Sequence, residues 1–199
     1  MKLFNSAVIL AGGKSERMGF DKQTIRVHGR RLMDKIILTL KKEFDEIILI
    51  SNKPVLYTDS GCLLISDEIK GMGPLGGIHA GLKKASSRYV YFTACDMPNL
   101  NLDYIRFMKS RIKETDAEAC VTKIGDWIEP FNAFYSKGIL DAVESDLLNL
   151  KGSIFHLLKK SECCFIEEKE ARKFSPDWSM FLNLNTRQEL EDYIDSLNL

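Results

Sequence analysis

Short apolar runs alternate with longer amphipathic segments along most of this chain of 199 residues. The short runs are rich in β-branched and aromatic residues, as strands are, whereas the longer segments carry apolar residues at helical spacing. Strands and helices in alternation are typical of a parallel sheet covered by helices. We therefore predict an α/β fold, a three-layer Rossmann-like architecture with a mixed, mostly parallel sheet and helices on both faces.

The pattern predicts five strands and five helices. The predicted strands are Ala7 to Leu10, Ile47 to Ile50, Leu63 to Ile65, Tyr89 to Ala94 and Ala117 to Thr122. The predicted helices are Leu32 to Phe44, Leu75 to Lys84, Leu102 to Lys113, Gly138 to Leu150 and Thr186 to Leu197. A Gly125-Asp126 turn between aromatic-rich runs indicates a hairpin within residues 120–135, and residues 163–178 are read as short strand and loop. With 45% hydrophobic residues, we expect one domain over residues 1–199.

The charge balance limits the partners that the chain can have. Lys plus Arg number 28 and so do Asp plus Glu, so no overall positive field favours nucleic acid. Locally, however, the segment from Lys14 to Lys35 contains seven basic and three acidic side chains, which could receive phosphates. No apolar run approaches the roughly 20 residues of a membrane span, and no signal pattern begins the chain, so we expect no membrane partner and a cytoplasmic protein. Five cysteines without CxxC spacing are read as free thiols.

Groups suited to a nucleotide follow four of the predicted strands. They are Gly12 and Gly13 after the first strand, Asn52 after the second, Asp67 after the third and Asp96 after the fourth. In open α/β sheets, ligands bind outside the carboxyl ends of the strands, so these groups are expected to meet in one crevice.

The strongest single feature is the sequence LAGGKSERMGFDK at residues 10–22. Its small residues free backbone N–H groups to surround anionic oxygens, while Lys14, Arg17 and Lys22 add positive charge. The loop is not a Walker A motif, because that motif would require glycine at position 8, which is Val8. It suits a triphosphate, although an ordinary strand-to-helix turn with solvated cations is the alternative.

Two further polar positions could hold a metal ion. Asp96 lies between the apolar run YVYFTA and Met97-Pro98, and a carboxylate there suits Mg²⁺, which takes one or two protein carboxylates plus substrate phosphates. The alternative is that Asp96 only caps a turn. Asn183 and Asn185 alternate on an extended segment, so Asn185 could complete the metal shell; alternatively Asn185 or Thr186 caps the last helix.

A second glycine-rich segment, GMGPLGGIHAG at residues 71–81, precedes a predicted helix. It allows close approach of a ligand to the backbone, but Gly71, Gly73 and Gly76 also match the dinucleotide-binding pattern GxGxxG. Pro74 inside the turn and the gap after Ser66 argue against that pattern, in which the glycines directly follow a strand. A dinucleotide site remains the minor alternative.

The chain closely resembles the molybdenum cofactor guanylyltransferases over most of its length. The resemblance rests on LAGGKSERMGFDK, Asp67, GPLGGI, the ACDMP sequence at residues 94–98 and FLNLNT, all in this order. These enzymes join GMP from GTP to the phosphate of molybdenum-bearing molybdopterin and release pyrophosphate. The resemblance implies a fold like that of the nucleotide-diphospho-sugar transferases, with a nucleotide-binding N-terminal half and an acceptor-binding C-terminal half.

The resemblance also implies roles for individual residues. By resemblance, GTP would be bound by Leu10, Ala11, Gly12, Lys22, Asn52, Asp67 and Asp96, and Asp96 would hold Mg²⁺. From the residues themselves, we expect Arg17, Lys22 and Asp96 to act in catalysis and Asn185 to join Asp96 at the metal. Gly13, Gly73, Pro74 and Leu75 are further expected nucleotide-binding residues. Partners would be GTP, a molybdopterin-type phosphorylated acceptor, and molybdoenzymes or cofactor-insertion proteins that receive the product.

The sequence motifs indicate nucleotidyl transfer more strongly than they indicate which nucleotide base or which acceptor molecule the protein uses. Relatives that use CTP tend to have Ala-Ala where this chain has Ala11-Gly12, and Pro where it has Asp21, which favours the guanine branch. The stretch EPFNAFY at residues 129–135 matches the family only loosely, with Asn132 departing from an apolar pattern. A nucleotidyltransferase that uses CTP or a sugar phosphate, and a GTP-binding module that delivers a cofactor without chemistry, are the alternatives.

Overall fold

A computed structural model describes residues 1–11, 21–66, 73–149 and 153–198. Its main sheet contains seven strands: β1 (Lys2–Leu10), β4 (Glu46–Ile50), β5 (Leu63–Ile65), β6 (Ser87–Ala94), β7 (Ala119–Ile124), β8 (Trp127–Ser136) and β9 (Cys163–Glu167). Two short strands, β2 (Arg26–Val27) and β3 (Arg30–Arg31), pair separately. The main sheet has the order β5-β4-β1-β6-β8-β7-β9.

The sheet is mixed and mostly parallel, as predicted. β1 lies between β4 and β6 and is parallel to both, so that Val8 is opposite Ile48 and Phe92. β5 extends this parallel set, whereas β8 runs antiparallel to both β6 and β7. The carboxyl ends of β1, β4, β5 and β6 therefore lie along one edge of the sheet.

Helices cover both faces of the sheet. They are α1 (Leu32–Leu40), α2 (Gly73–Lys84), α3 (Leu102–Thr115), α4 (Leu140–Leu148), α5 (Ile154–Lys160), α6 (Glu168–Ala171) and α7 (Arg187–Ser196). Alternate residues of β1 face opposite sides, so Ala7 and Ile9 enter a core with α1 and α3, whereas Val8 and Leu10 enter a core with α2 and α4. The result is the expected arrangement of three layers.

Several boundaries differ from the prediction. α1 ends at Leu40. The predicted helix was too long because it included Phe44, which is apolar and buried but lies beyond the end of the helix. The predicted helix from Gly138 begins as a 3-10 turn, Lys137–Ile139, and its predicted end, Leu150, lies outside the described residues. The last predicted strand is displaced to Ala119–Ile124.

Two helices were missed altogether. α5 has seven residues and α6 has four, and segments this short carry too few turns to show helical periodicity. The reading of residues 163–178 as strand and loop was therefore correct for β9 but wrong for α6. The predicted hairpin is confirmed as β7 and β8, joined at Gly125, which has a φ of 57°.

Five free cysteines are present, as the sequence predicted. Among the described residues, no helix has the length and apolar character needed to cross a bilayer.

Glycines allow α2 to lie close to the sheet. A Cβ atom at Gly77 would lie 2.7 Å from the Cδ2 of Leu10, and one at Gly81 would lie 2.7 Å from the Cε1 of Phe92 and 2.9 Å from the Cγ2 of Val8. Such distances are shorter than van der Waals contact, so a side chain at either position would push helix and sheet apart. The glycine-rich segment at residues 71–81 thus contributes to helix packing.

We expect Gly81→Val to destabilise the protein by about 2–3 kcal/mol, because the added carbons overpack the contact with Val8 and Phe92. Urea denaturation followed by circular dichroism measures the change. Lys84→Val introduces the same side chain at an exposed position of the same helix and should change stability by no more than about 0.5 kcal/mol. Equal stability of the two variants would contradict this account of helix packing.

Candidate functional site

Lys22 and Asp96 meet at the carboxyl edge of the sheet. Asp96 follows β6 and is 9% exposed, and Lys22 begins a 3-10 turn, Lys22–Thr24. The Nζ of Lys22 lies 2.6 Å from Oδ2 of Asp96, although the two residues are 74 positions apart in the chain. The structure thus brings together two groups that the sequence placed in one crevice.

Asn185 joins this contact from the C-terminal part of the chain. Its Oδ1 accepts a hydrogen bond from the Nζ of Lys22 at 2.7 Å. The backbone supports this position, because the N–H of Leu184 donates to the carbonyl oxygen of Asp96 at 2.9 Å. Lys22, Asp96 and Asn185 are called the edge cluster below.

The helix-capping alternative for this segment is also realised, but by the neighbouring residue. Thr186 caps α7 in a capping box with Glu189, and Glu189 accepts the backbone N–H of both Asn185 and Thr186. The Asn185 side chain is therefore free of the capping role. Asn183 does not join the edge cluster, since its amide donates to the carbonyl oxygen of Phe181.

Asp21 fixes the turn that carries Lys22. Its Oδ1 accepts the backbone N–H of Gln23 at 3.0 Å, and its Oδ2 pairs with the Nζ of Lys53 at 2.6 Å. Burial would raise the pKa of Asp21, but the hydrogen bonds from Lys53 and Gln23 outweigh it and hold that pKa below its usual value. Asp21 is therefore ionised at neutral pH, where it helps to set the direction of Lys22.

Gln23 anchors the same turn to the sheet, and sequence reasoning missed it. Its buried Oε1 accepts hydrogen bonds from the hydroxyl of Ser51 at 2.6 Å and from that of Tyr57 at 3.3 Å. Ser51 directly follows β4. The sequence has no signal for this role, because a glutamine that follows Asp21 and Lys22 looks like a solvated side chain.

Asn132 connects the centre of the sheet to the segment that leads to Asn185. It is fully buried with a φ of 56°, its Oδ1 accepts the hydroxyl of Tyr91, and its Nδ2 donates to the carbonyl oxygen of Met180 at 3.4 Å. Asparagine tolerates positive φ better than most residues. The departure of Asn132 from an apolar pattern thus has a structural cause, namely an irregular backbone position with two buried polar partners.

Leu10 and Ala11 lie at the end of β1, where their backbone groups bond to neighbouring strands. The N–H of Ala11 donates to Ile50, and the carbonyl oxygen of Leu10 accepts from Cys95. Both side chains are buried. These residues hold the end of β1 in place at the edge where the loop of residues 12–20 begins.

The other predicted nucleotide-binding residues lie along the same edge or outside the described residues. Asn52 is exposed beyond β4, and within the described ranges no hydrogen bond joins it to the edge cluster. Gly73 and Pro74 are exposed at the start of α2, whereas Leu75 is fully buried in the core, so its side chain does not reach the surface. Gly12, Gly13, Arg17 and Asp67 lie outside the described residues.

The thiol beside Asp96 is not suited to nucleophilic catalysis. Burial, with Asp96 nearby, raises the pKa of Cys95 to about 12, so the thiol stays protonated at neutral pH.

The oxygen atoms of the edge cluster suit a metal ion that is coordinated partly by the protein and partly by substrate phosphates. Where the structure describes the chain, no three His, Cys, Asp or Glu side chains are grouped to hold an ion by themselves. Asp96 instead offers a carboxylate and Asn185 an amide oxygen, both hard ligands. With Lys22 between them, the edge cluster can bind an anionic ligand and a hard cation together.

Comparison with known proteins identifies relatives over almost the whole chain. Residues 7–163 match the family described as MobA-like NTP transferase domain. A molybdenum cofactor guanylyltransferase from Syntrophotalea carbinolica is 54% identical over 190 residues, which are 96% of this chain and 90% of that relative. A probable molybdenum cofactor guanylyltransferase from Peptoclostridium acidaminophilum is 51% identical over 197 residues, 96% of this chain and 89% of the relative.

The fold is also that of a solved structure. Molybdopterin-guanine dinucleotide biosynthesis protein A from Archaeoglobus fulgidus superimposes with a TM-score of 0.84, covering 97% of this chain and 98% of that one. The sequences are 22% identical. At this identity the likeness establishes the fold, a mostly parallel α/β sheet as predicted.

We expect Asn132→Ala to destabilise the protein by about 2–4 kcal/mol, because the hydroxyl of Tyr91 and the carbonyl oxygen of Met180 lose a buried partner. Asn132→Gly loses the same hydrogen bonds, but glycine adopts a positive φ without strain, so its loss should be about 1 kcal/mol smaller. Urea denaturation measures both variants. A glycine variant no more stable than the alanine variant would show that the backbone at residue 132 is unstrained.

Proposed function

Since this chain belongs to the molybdenum cofactor guanylyltransferase family of nucleotidyltransferases, we propose that it transfers GMP from GTP to the phosphate of molybdenum-bearing molybdopterin. The products are the guanine dinucleotide form of the cofactor and pyrophosphate. The single observation that supports this chemistry best is the edge cluster, which combines a cation, a carboxylate and an amide oxygen where nucleotides bind in α/β sheets.

We propose that the triphosphate lies against the loop of residues 12–20, with Gly12 and Gly13 giving backbone N–H groups and Arg17 and Lys22 giving positive charge. Both ends of this loop support the proposal, because Ala11 and Asp21 are held by Ile50 and Lys53 at the edge of the sheet. Asn52 and the start of α2, Gly73-Pro74, border the same edge and, together with Asp67, would contact the nucleoside.

Nucleotidyltransferases of this family generally use a divalent metal, and we propose Mg²⁺ held by Asp96 and Asn185. One protein carboxylate with substrate phosphates is a coordination that Mg²⁺ commonly accepts. When bound, the ion would neutralise charge on the phosphates. In the structure Lys22 occupies this position between the oxygens of Asp96 and Asn185, so the protein already supplies positive charge there.

In the proposed reaction, an oxygen of the acceptor phosphate attacks the α-phosphorus of GTP in line with the departing pyrophosphate. The new oxygen–phosphorus bond forms as the bond to the bridging oxygen breaks, and its electron pair leaves with the pyrophosphate. Lys22 and Arg17 would stabilise that developing charge. A phosphate is already anionic at neutral pH, so the acceptor needs no strong general base, and the protonated Cys95 beside the site has no role as a nucleophile.

The C-terminal half is proposed to bind the acceptor. The hairpin of β7 and β8 belongs to this half, and the part of β8 that precedes Ala133, the partner of Phe92, extends toward the edge where Asp96 lies. We place both halves in one domain of a cytoplasmic protein, and molybdoenzymes or cofactor-insertion proteins would receive the product.

The direct test is incubation of the chain with GTP, Mg²⁺ and molybdopterin bearing molybdenum, followed by mass detection of the product and assay of pyrophosphate. We expect the guanine dinucleotide with GTP and no matching product with CTP. Product with CTP, or with a sugar phosphate in place of molybdopterin, would identify a different nucleotidyltransferase. GTP binding without pyrophosphate release would identify a delivery module and overturn the proposal.

We expect Asp96→Asn to reduce kcat at least about 10²–10³-fold, because the substitution removes the only carboxylate of the edge cluster while preserving its shape. Asp195→Asn, which makes the same change at an exposed position of α7, should leave kcat within a factor of about two. Thermal unfolding of both variants would verify the fold. An Asp96→Asn enzyme with unchanged metal-dependent turnover would rule out the assigned role.

A further inference from the structure

Two cysteines face each other across neighbouring strands of the sheet. Cys120 on β7 and Cys164 on β9 are direct partners in the parallel register. Both side chains enter the same hydrophobic core. Neighbouring strands lie about 4.7–4.9 Å apart, which is within the Cα separation of about 4.4–6.8 Å that a disulfide requires. The backbone therefore already holds the two Cα atoms at a separation that a disulfide can span.

Cys163, which precedes Cys164 in the chain, faces the opposite side of the sheet from this pair. Cys163 belongs to the core on the other face, and its Sγ donates to the carbonyl oxygen of Leu158 at 3.3 Å. Burial raises the pKa of Cys163 to about 12. Cys163 is thus next to Cys164 in sequence but lies in different surroundings.

The surroundings of Cys164 favour the thiolate form. The neighbouring Cys120 thiol, the Arg111 guanidinium and the Thr115 hydroxyl stabilise its charged form, Cys120 most strongly, and together they lower the pKa of Cys164 to about 6 despite burial. Glu114 and Glu170 are acidic groups that face the same guanidinium. The pKa of Cys120 is raised in turn, mainly by its hydrogen bond to Cys164 and by burial.

Arg111 gives a second, geometric indication. Its Nη1 pairs with Glu114 at 2.9 Å, but its Nε is buried without any acceptor that meets hydrogen-bond geometry in the described part of the chain. A buried N–H without an acceptor is costly, and a thiolate beside it would supply negative charge. Cys164 is 6% exposed and Cys120 is fully buried, so a small reagent reaches Cys164 first.

We propose that Cys120 and Cys164 form a redox-active dithiol, which a hydroperoxide oxidises to a disulfide joining β7 to β9. This site is separate from the edge cluster. β7 is parallel to β6, since each is antiparallel to β8, and Cys120 and Cys164 are the second residues of their strands. They therefore lie toward the amino ends of the strands, whereas Asp96 lies beyond the carboxyl end of β6.

The chemistry is a two-electron oxidation in two steps. The Cys164 thiolate attacks one oxygen of the hydroperoxide, the O–O bond breaks, and the leaving oxygen takes up a proton, which converts Cys164 to a sulfenic acid. The sulfur of Cys120 then attacks the sulfenic sulfur, the S–O bond breaks, and the hydroxide leaves as water with the proton of Cys120. With hydrogen peroxide, the two thiols give one disulfide and two water molecules.

The test uses the full chain with Cys163→Ser, because trypsin leaves Cys163 and Cys164 on one peptide, residues 161–169. The reduced protein is treated with one equivalent of hydrogen peroxide, its remaining thiols are alkylated, and the tryptic peptides are analysed by mass. We expect peptide 161–169 linked to peptide 114–123, two hydrogens lighter than their sum and separated again by dithiothreitol. Oxidation of Cys164 should be at least about tenfold faster than that of Cys62.

Variants separate the two steps. In Cys120→Ser the sulfenic acid of Cys164 should persist and react with dimedone, whereas Cys164→Ser should leave Cys120 reduced. Arg111→Gln keeps both thiols and tests the role of the charge, with an expected slowing of oxidation of about tenfold. The proposal is overturned if Cys164 stays reduced in the folded protein, or if the link to Cys120 forms only in urea.

Discussion

The contact between Lys22 and Asp96 is the interaction on which the rest of the candidate site depends. The two side chains are 21% and 13% exposed and 2.6 Å apart, so each charge is largely removed from water and needs the other. Loss of either partner would leave a poorly solvated charge, which is far more costly than loss of an exposed ion pair. The contact exists because β1 and β6 are neighbours, with Leu10 opposite Ala94, so that the chain segments beyond both strands emerge side by side.

The residues around this contact hold its chain segments in position, as a frame, and are not further ligands. Gln23 holds the turn of Lys22 against the end of β4 through Ser51, and Leu184 holds the C-terminal segment against the carbonyl oxygen of Asp96. Asn132 fixes that segment from inside the sheet. Each of these is a buried hydrogen bond between distant parts of the chain, and such bonds define positions more narrowly than apolar packing does. The frame suits a reaction that relies on positioning and electrostatics.

The two ends of the sheet have different chemical character. The carboxyl edge carries Lys22, Asp96 and the start of α2, and it is where we propose that nucleotide chemistry takes place. Toward the amino ends of β7 and β9 lies an apolar region with two paired thiols and Arg111, which has no counterpart in that chemistry. Because the two regions lie toward opposite ends of the strands, they can be studied independently.

The sequence by itself determined the α/β class and the strands that carry the site, and it predicted Lys22 and Asp96 in one crevice, because strand periodicity and the charged or polar groups that follow a strand are local properties. It could not determine Gln23 or Asn132, nor the pairing of Cys120 with Cys164. Those depend on strand order and register, which place residues far apart in the chain next to each other. The tertiary structure also decided between the roles of Asn185 and Thr186, since only folding shows which side chain the helix end uses and which it leaves for Lys22.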